Sequence, residues 1–186
     1  NFWSPIHPLL FSVFQQTLPG VEKELGEVDA SVLMNEQFTH SELREHLDRG
    51  TDILHVASHA EFSDPENSFV LAWDGKISMT EFGQIIGDRP GQPLDLLVLS
   101  ACQTATGDNS AVWGIAGLAL QSGASSAIAT LTLTRDDVTQ MVMAEFYRQL
   151  QDGIDRPEAL RQALLTVLES RYYHPARWGV FTLIGN

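Results

Sequence analysis

The chain is poor in cysteine and in positive charge. A single cysteine in 186 residues, Cys102, excludes an internal disulfide and suits a reducing compartment, and it leaves a free thiol to be explained. Eleven lysines and arginines stand against 24 aspartates and glutamates, for a formal net charge of −13. With so few basic residues, and those scattered, the chain has little with which to neutralise a polyphosphate, so nucleic acid is disfavoured as a partner. An acidic body keeps a protein soluble and can attract basic peptides. Long apolar runs are missing as well. The stretch Leu94–Leu99 is already broken by Asp95, far short of the roughly 20 residues a bilayer demands, and no charged-then-apolar leader opens the sequence. The expectation is a protein without a membrane partner, placed in the cytoplasm. Internal repeats and low-complexity tracts are absent, as are a G-x-S-x-G elbow, a G-x-G-x-x-G turn after a strand and a phosphate-binding lysine loop.

What is present is the composition of an ordinary globular domain, 44% hydrophobic and 19% charged, long enough to bury a core without staples. Strand-like runs fall at Ser31–Met34, Asp52–Ser58, Phe69–Trp73, Leu94–Ser100, Ala127–Leu133 and Val180–Ile184, with helical patterns between them. That alternation indicates an α/β fold. The run Leu94–Ser100 is apolar almost throughout, as expected of a strand covered on both faces in a mostly parallel sheet. Helices announce their starts with Ser78-Met79-Thr80-Glu81, a capping box, and with Asp155-Arg156-Pro157-Glu158; Gly87 and Gly153 mark stops. Over Asp136–Leu150, the residues Val138, Met141, Val142, Phe146 and Leu150 form one apolar stripe. Residues 1–17, rich in aromatics and proline, read as a linker or the remnant of an N-terminal region, with the domain proper at 18–186.

Two of the core runs end in residues able to do chemistry. "LHVASHA" delivers His59 followed by Ala60, and "LVLSACQTATGD" delivers Cys102 after Ala101. In open α/β sheets reactive groups gather just beyond the carboxyl ends of the strands. If these two strands are neighbours, an imidazole and a thiol face one cleft, which is what a cysteine nucleophile with a histidine acid/base requires. Each residue alone has a plainer reading, since a free cysteine packs as a small hydrophobe. His55 lies inside its strand and reads as a core or supporting residue. The His55-x-x-x-His59 spacing matches a zinc pair only on a helix, and this segment is β-rich, so no metal and no cofactor are expected.

The paired motifs resemble those of the CHAT family, caspase-like cysteine peptidases related to separase and often fused to tetratricopeptide repeats. The likeness extends to "LPGVEKEL" at 18–25, "HSELREHL" at 40–47, "AVWGIAGLALQSGASSAIATL" at 111–131 and "HPARWGVFTLIGN" at 174–186. The resemblance implies a caspase–haemoglobinase-like sandwich, a mostly parallel central sheet flanked by helices. It also implies Cys102 as nucleophile, His59 as general acid/base, and the backbone N–H groups of Ala60 and Cys102 as oxyanion hole. The chain departs from the family at Gln103, where glutamate is common, and at Thr132, where a tryptophan is common, both near the substrate pocket. Asp136 matches a family aspartate; it either helps bind a basic side chain at the P1 position of a substrate or caps the helix that follows. Gly107 and Asp108 fall in a turn-like loop expected on the substrate side. The expected partners are a protein or peptide substrate and a regulatory partner or N-terminal repeat region. A caspase-like interaction module without turnover, and another cysteine-based acyl transfer, remain the competing readings.

Overall fold

The computed structural model of the chain describes residues 9–13, 30–61, 67–100, 117–130, 135–170 and 174–185, with backbone alone for 9–13, 30 and 136. Its centre is a six-stranded sheet made of β1 (Leu9–Val13), β2 (Ala30–Met34), β3 (Ile53–Ala57), β7 (Leu96–Leu99), β8 (Ser126–Thr130) and β9 (Phe181–Gly185). Their order across the sheet is β2-β1-β3-β7-β8-β9. Every pairing is parallel except the last, where β9 runs antiparallel to β8. A second, antiparallel sheet of three strands, β4 (Ala60–Glu61), β5 (Phe69–Ala72) and β6 (Gly75–Ser78), follows directly on β3. The helices are α1 (His40–Asp48), α2 (Met79–Gly87), α3 (Asp136–Gln151), α4 (Arg156–Leu168) and the short α5 (Pro175–Trp178), with a further helical turn at 117–121. Among the described residues no helix is long and apolar enough to cross a membrane.

The expected α/β architecture and its mostly parallel central sheet are therefore present. All six expected strands have a counterpart, although β5 lies in the smaller sheet and the expected end of Ala127–Leu133, at 131–133, lies outside the described residues. Three were not anticipated: β1, β4 and β6. β1 lies in the stretch expected as linker or remnant and pairs on both sides, with β2 and β3.

Alternation along the strands splits the interior into two cores. On one face Leu54 and Val56 of β3, Leu97 and Leu99 of β7, and Ala127 of β8 pack against Leu43 and Leu47 of α1 and Phe82, Ile85 and Ile86 of α2. On the other, Ala57, Leu96, Val98 and Ile128 pack against Val138, Val142 and Phe146 of α3 and Ala159, Leu160, Ala163 and Val167 of α4. The stripe read from sequence is this second helix face: Val138, Val142 and Phe146 are fully buried, while Met141 and Leu150 pack at its margin.

The helix starts follow their sequence signals. Ser78 Oγ accepts from Glu81 N–H at the head of α2, and Asp155 Oδ1 accepts from Glu158 N–H at the head of α4, with Pro157 in the first turn. Thr39 does the same for α1, accepting from Glu42 N–H. Gly185 closes the sheet for a steric reason: it takes φ +107 opposite Ser126, and a Cβ there would collide with the Ser125 carbonyl and Ser126 Cα.

Candidate functional site

β3 and β7 are immediate parallel neighbours, with His55 opposite Val98 and Val56 opposite Leu99. Ser100 N–H continues the ladder past the strand end, donating to the Val56 carbonyl at 3.0 Å. The two chains that lead to His59 and Cys102 thus leave the sheet side by side and in the same direction. β7 is apolar throughout and β3 is apolar apart from His55, and both are buried almost along their length, as a central parallel pair requires.

His59 sits between β3 and β4 and is half-buried. Its main chain is clamped by the β5–β6 hairpin. Leu71 N–H donates to the His59 carbonyl at 2.8 Å, and the buried Ser58 hydroxyl donates to the Leu71 carbonyl at 2.5 Å, with a longer contact of 3.4 Å to the His59 carbonyl. Ala60 faces Val70 across the antiparallel pair. Because Leu71 N–H bonds the carbonyl one residue before Ala60, the Ala60–Val70 pair is of the non-hydrogen-bonded kind, and the Ala60 amide points away from β5. That amide is directed away from the small sheet.

The hairpin is itself tied down. Trp73 N–H donates to the Phe38 carbonyl at 2.8 Å, and Asp74 accepts from the His40 amide at 3.2 and 3.3 Å and stands 2.8 Å from His40 Nδ1. A carboxylate at the first turn of α1 is favoured by the orphan amides there. Burial pulls the His40 pKa down, but the hydrogen bond and charge of Asp74, with Glu81 3.7 Å from Nε2, more than offset it, and the pKa ends above its usual value. Partial burial raises that of Asp74 while bonds from His40 lower it further, so its pKa ends below the usual value.

Beneath the strand ends lies a buried polar cluster. His55, fully buried as a core or supporting residue should be, places Nδ1 2.8 Å from Tyr147 Oη on α3 and Nε2 2.7 Å from Ser100 Oγ. Burial pushes its pKa down to about 3, so the ring is neutral at physiological pH.

Of the residues singled out in the sequence, His59 and Ala60 are therefore placed at the carboxyl end of β3, beside the carboxyl end of β7. Cys102, Gln103 and Thr132 lie outside the described residues, as does the loop containing Gly107 and Asp108. Asp136 is the first residue of α3; the N-cap position before it is held by Arg135, in extended conformation. Among the described residues no group of three or more histidines, cysteines or acids is placed to hold a metal ion. Sequence reasoning missed Ser58, Ser100 and Tyr147. The first two carried a signal, since each is a small polar residue closing an apolar strand; Tyr147 carried none beyond lying next to the apolar stripe.

Comparison with known proteins adds the following. A family model described as the CHAT domain matches residues 8–186. No curated protein matches the sequence. Among solved structures, the Geobacter sulfurreducens protein GSU0716 superposes with a TM-score of 0.52 at 11% sequence identity, over 98% of this chain and 94% of that one. A pyridoxal kinase from Staphylococcus aureus, solved in complex with pyridoxal, gives a TM-score of 0.46 at 10% identity, over 91% and 89% of the two chains. At such identities the first is a likeness of fold.

Proposed function

Because the chain belongs to the CHAT domain family, we propose that it is a caspase-like cysteine endopeptidase with a His59–Cys102 dyad on a caspase–haemoglobinase-like sandwich. One observation supports this reading: β3, which runs towards His59, and β7, which runs towards Cys102, are adjacent, parallel and in register, so their carboxyl ends open at one edge of the sheet. In this proposal the Cys102 thiolate attacks the scissile carbonyl carbon, and the carbonyl electrons move to oxygen. The amides of Ala60 and Cys102 receive that oxyanion, a contribution of about 3 kcal/mol per well-placed donor; the outward direction of the Ala60 amide supports the assignment. His59 protonates the departing amine and then takes a proton from the water that hydrolyses the acyl-enzyme. Asp136, Gln103 and Thr132 shape the pocket for a basic P1 side chain, and a regulatory partner or N-terminal repeat region governs activity.

The test uses the single thiol. Alkylation of Cys102 is followed by intact mass across pH for the parent chain and His59→Ala, alongside cleavage of arginine and lysine peptides. The proposal expects fast alkylation well below the free-thiol pKa of about 8.5, lost in His59→Ala. Slow and equal alkylation in both would instead favour the alternative, a caspase-like interaction module without turnover.

A further inference from the structure

The two strand ends are joined by more than the sheet ladder. His55 on β3 and Ser100 at the end of β7 lie on the same face of the sheet, the one covered by α3 and α4. The imidazole bridges from Ser100 Oγ, at 2.7 Å, to Tyr147 Oη, at 2.8 Å, and the three residues are almost wholly excluded from solvent. Ser100 stands two residues before Cys102, and His55 four before His59.

A neutral imidazole has one N–H and one lone pair. With a hydroxyl at each ring nitrogen, one partner must donate to the ring and the other must accept from it. The orientation of the Ser100 hydroxyl is therefore coupled through the ring to the Tyr147 hydroxyl, which lies 92 residues beyond His55 in sequence. The arrangement has the outline of a serine–histidine pair with a third residue behind it, but full burial and an uncharged ring unsuited to taking protons leave it no catalytic task of its own. What it does supply is direction. Apolar neighbours tolerate small slips, whereas a satisfied buried polar network admits one arrangement.

We propose that His55, with Ser100 and Tyr147, is a positioning relay that fixes the end of β7 against the end of β3 and so sets the reach between Cys102 and His59. This rests on the peptidase reading. Three residues far apart in the chain would then serve the same reacting pair without touching a substrate.

The experiment compares the full chain with Tyr147→Phe, Ser100→Ala and Ser100→Thr, and with Val167→Ala as a control that loosens the same core without removing a hydrogen-bonding group. For each, the thermal midpoint and the Cys102 alkylation rate are measured from about pH 5.5 to about pH 9. Tyr147→Phe and Ser100→Ala should slow alkylation near pH 6.5 about tenfold, the effect of one buried hydrogen bond left unmade, with the profile moving towards that of a free thiol. Ser100→Thr, which restores a hydroxyl, should recover most of the rate. Val167→Ala should lower the midpoint at least as much and leave the profile in place. A His59-dependent profile in the parent that survives both Tyr147→Phe and Ser100→Ala overturns the relay alone. A loss that the control reproduces also overturns it, since general loosening then suffices. A parent chain with no His59-dependent alkylation overturns the peptidase reading, and the relay with it.

Discussion

The two faces of the central sheet bury the same strands by different means. Towards α1 and α2, β3 and β7 present Leu54, Val56, Leu97 and Leu99, an apolar surface throughout. Towards α3 and α4 they present Leu96, Val98 and Ala57, and between these His55 and Ser100, bonded to each other and to Tyr147. Apolar contact is strong but has no direction. Hydrogen bonds between buried groups contribute less net stability and hold one geometry. The difference indicates a division of labour in which both faces supply apolar burial and only the second also holds the strand ends in place.

The largest expected effect breaks the apolar face. Phe82 is almost fully buried in the α1/α2 core, and Phe82→Ala should cost about 3–5 kcal/mol through lost transfer energy and the cavity left behind. For a domain of this size that lowers the melting temperature by roughly 10 °C. The Cys102 alkylation profile, read well below the melt, should stay as in the parent. A shifted profile would show that both faces position the strand ends and would end the division proposed here.

The polar face should declare itself in acid. The folded-state pKa of His55 is depressed to about 3, while in the unfolded chain it titrates near 6.5. Between those values the unfolded state binds a proton that the folded state refuses, so stability is full above about pH 6.5 and declines as pH falls. The folded-to-unfolded ratio should drop about tenfold per pH unit in that window. Urea unfolding at a series of pH values checks it. His55→Gln, which keeps polar atoms but cannot take the proton, should be less stable near pH 7 and show a flatter acid limb; an unchanged slope would assign the acid sensitivity to other groups.

This contrast also explains what was legible in the sequence. Period-two runs and near-continuous apolar stretches mark buried strands whatever packs on them, so β2, β3, β7, β8 and β9 could be read directly. So could helix starts, where Ser78 and Asp155 each satisfy an amide three residues on. β4 is only two residues long, too short for any period, and β6 reads Gly-Lys-Ile-Ser, with one apolar residue; both form because β5 offers them a partner, which is tertiary information. The placing of His59 at a strand end was legible because the apolar run stops there. The polar relay was not, because its members are joined by topology across the sheet and a helix, and no local pattern connects residue 55 with residue 147.

A smaller effect is expected at the clamp on His59. Ser58→Ala removes the donor to the Leu71 carbonyl and leaves a partly buried acceptor unmet, a loss of about 1 kcal/mol. The hairpin should loosen where it meets β4. Amide exchange at Leu71, whose N–H donates to the His59 carbonyl, should quicken by more than exchange in β7 does. Equal changes in both would mean that the whole fold had loosened and that Ser58 holds no particular part of it.

The smallest effect belongs to the far end of the same hairpin, where Asp74 meets His40. The folded-state pKa of His40 is raised, so its contribution is complete below about pH 6.5 and is lost as pH climbs through the folded value. Asp74 is depressed, so its contribution is present above the ordinary carboxylate range near 3.9 and is lost as pH falls through its own folded value. The pair should therefore stabilise most between roughly pH 4 and 6.5. Both side chains are partly solvated, which limits the gain to about 0.5 kcal/mol and makes it sensitive to salt. His40→Gln should melt slightly below the parent at about pH 5.5 in low salt, with the gap narrowing at about pH 8.5 and in high salt. A gap that is constant with pH would assign the contact to its uncharged hydrogen bonds. The hairpin would then hold His59 in the same way in acid and in base.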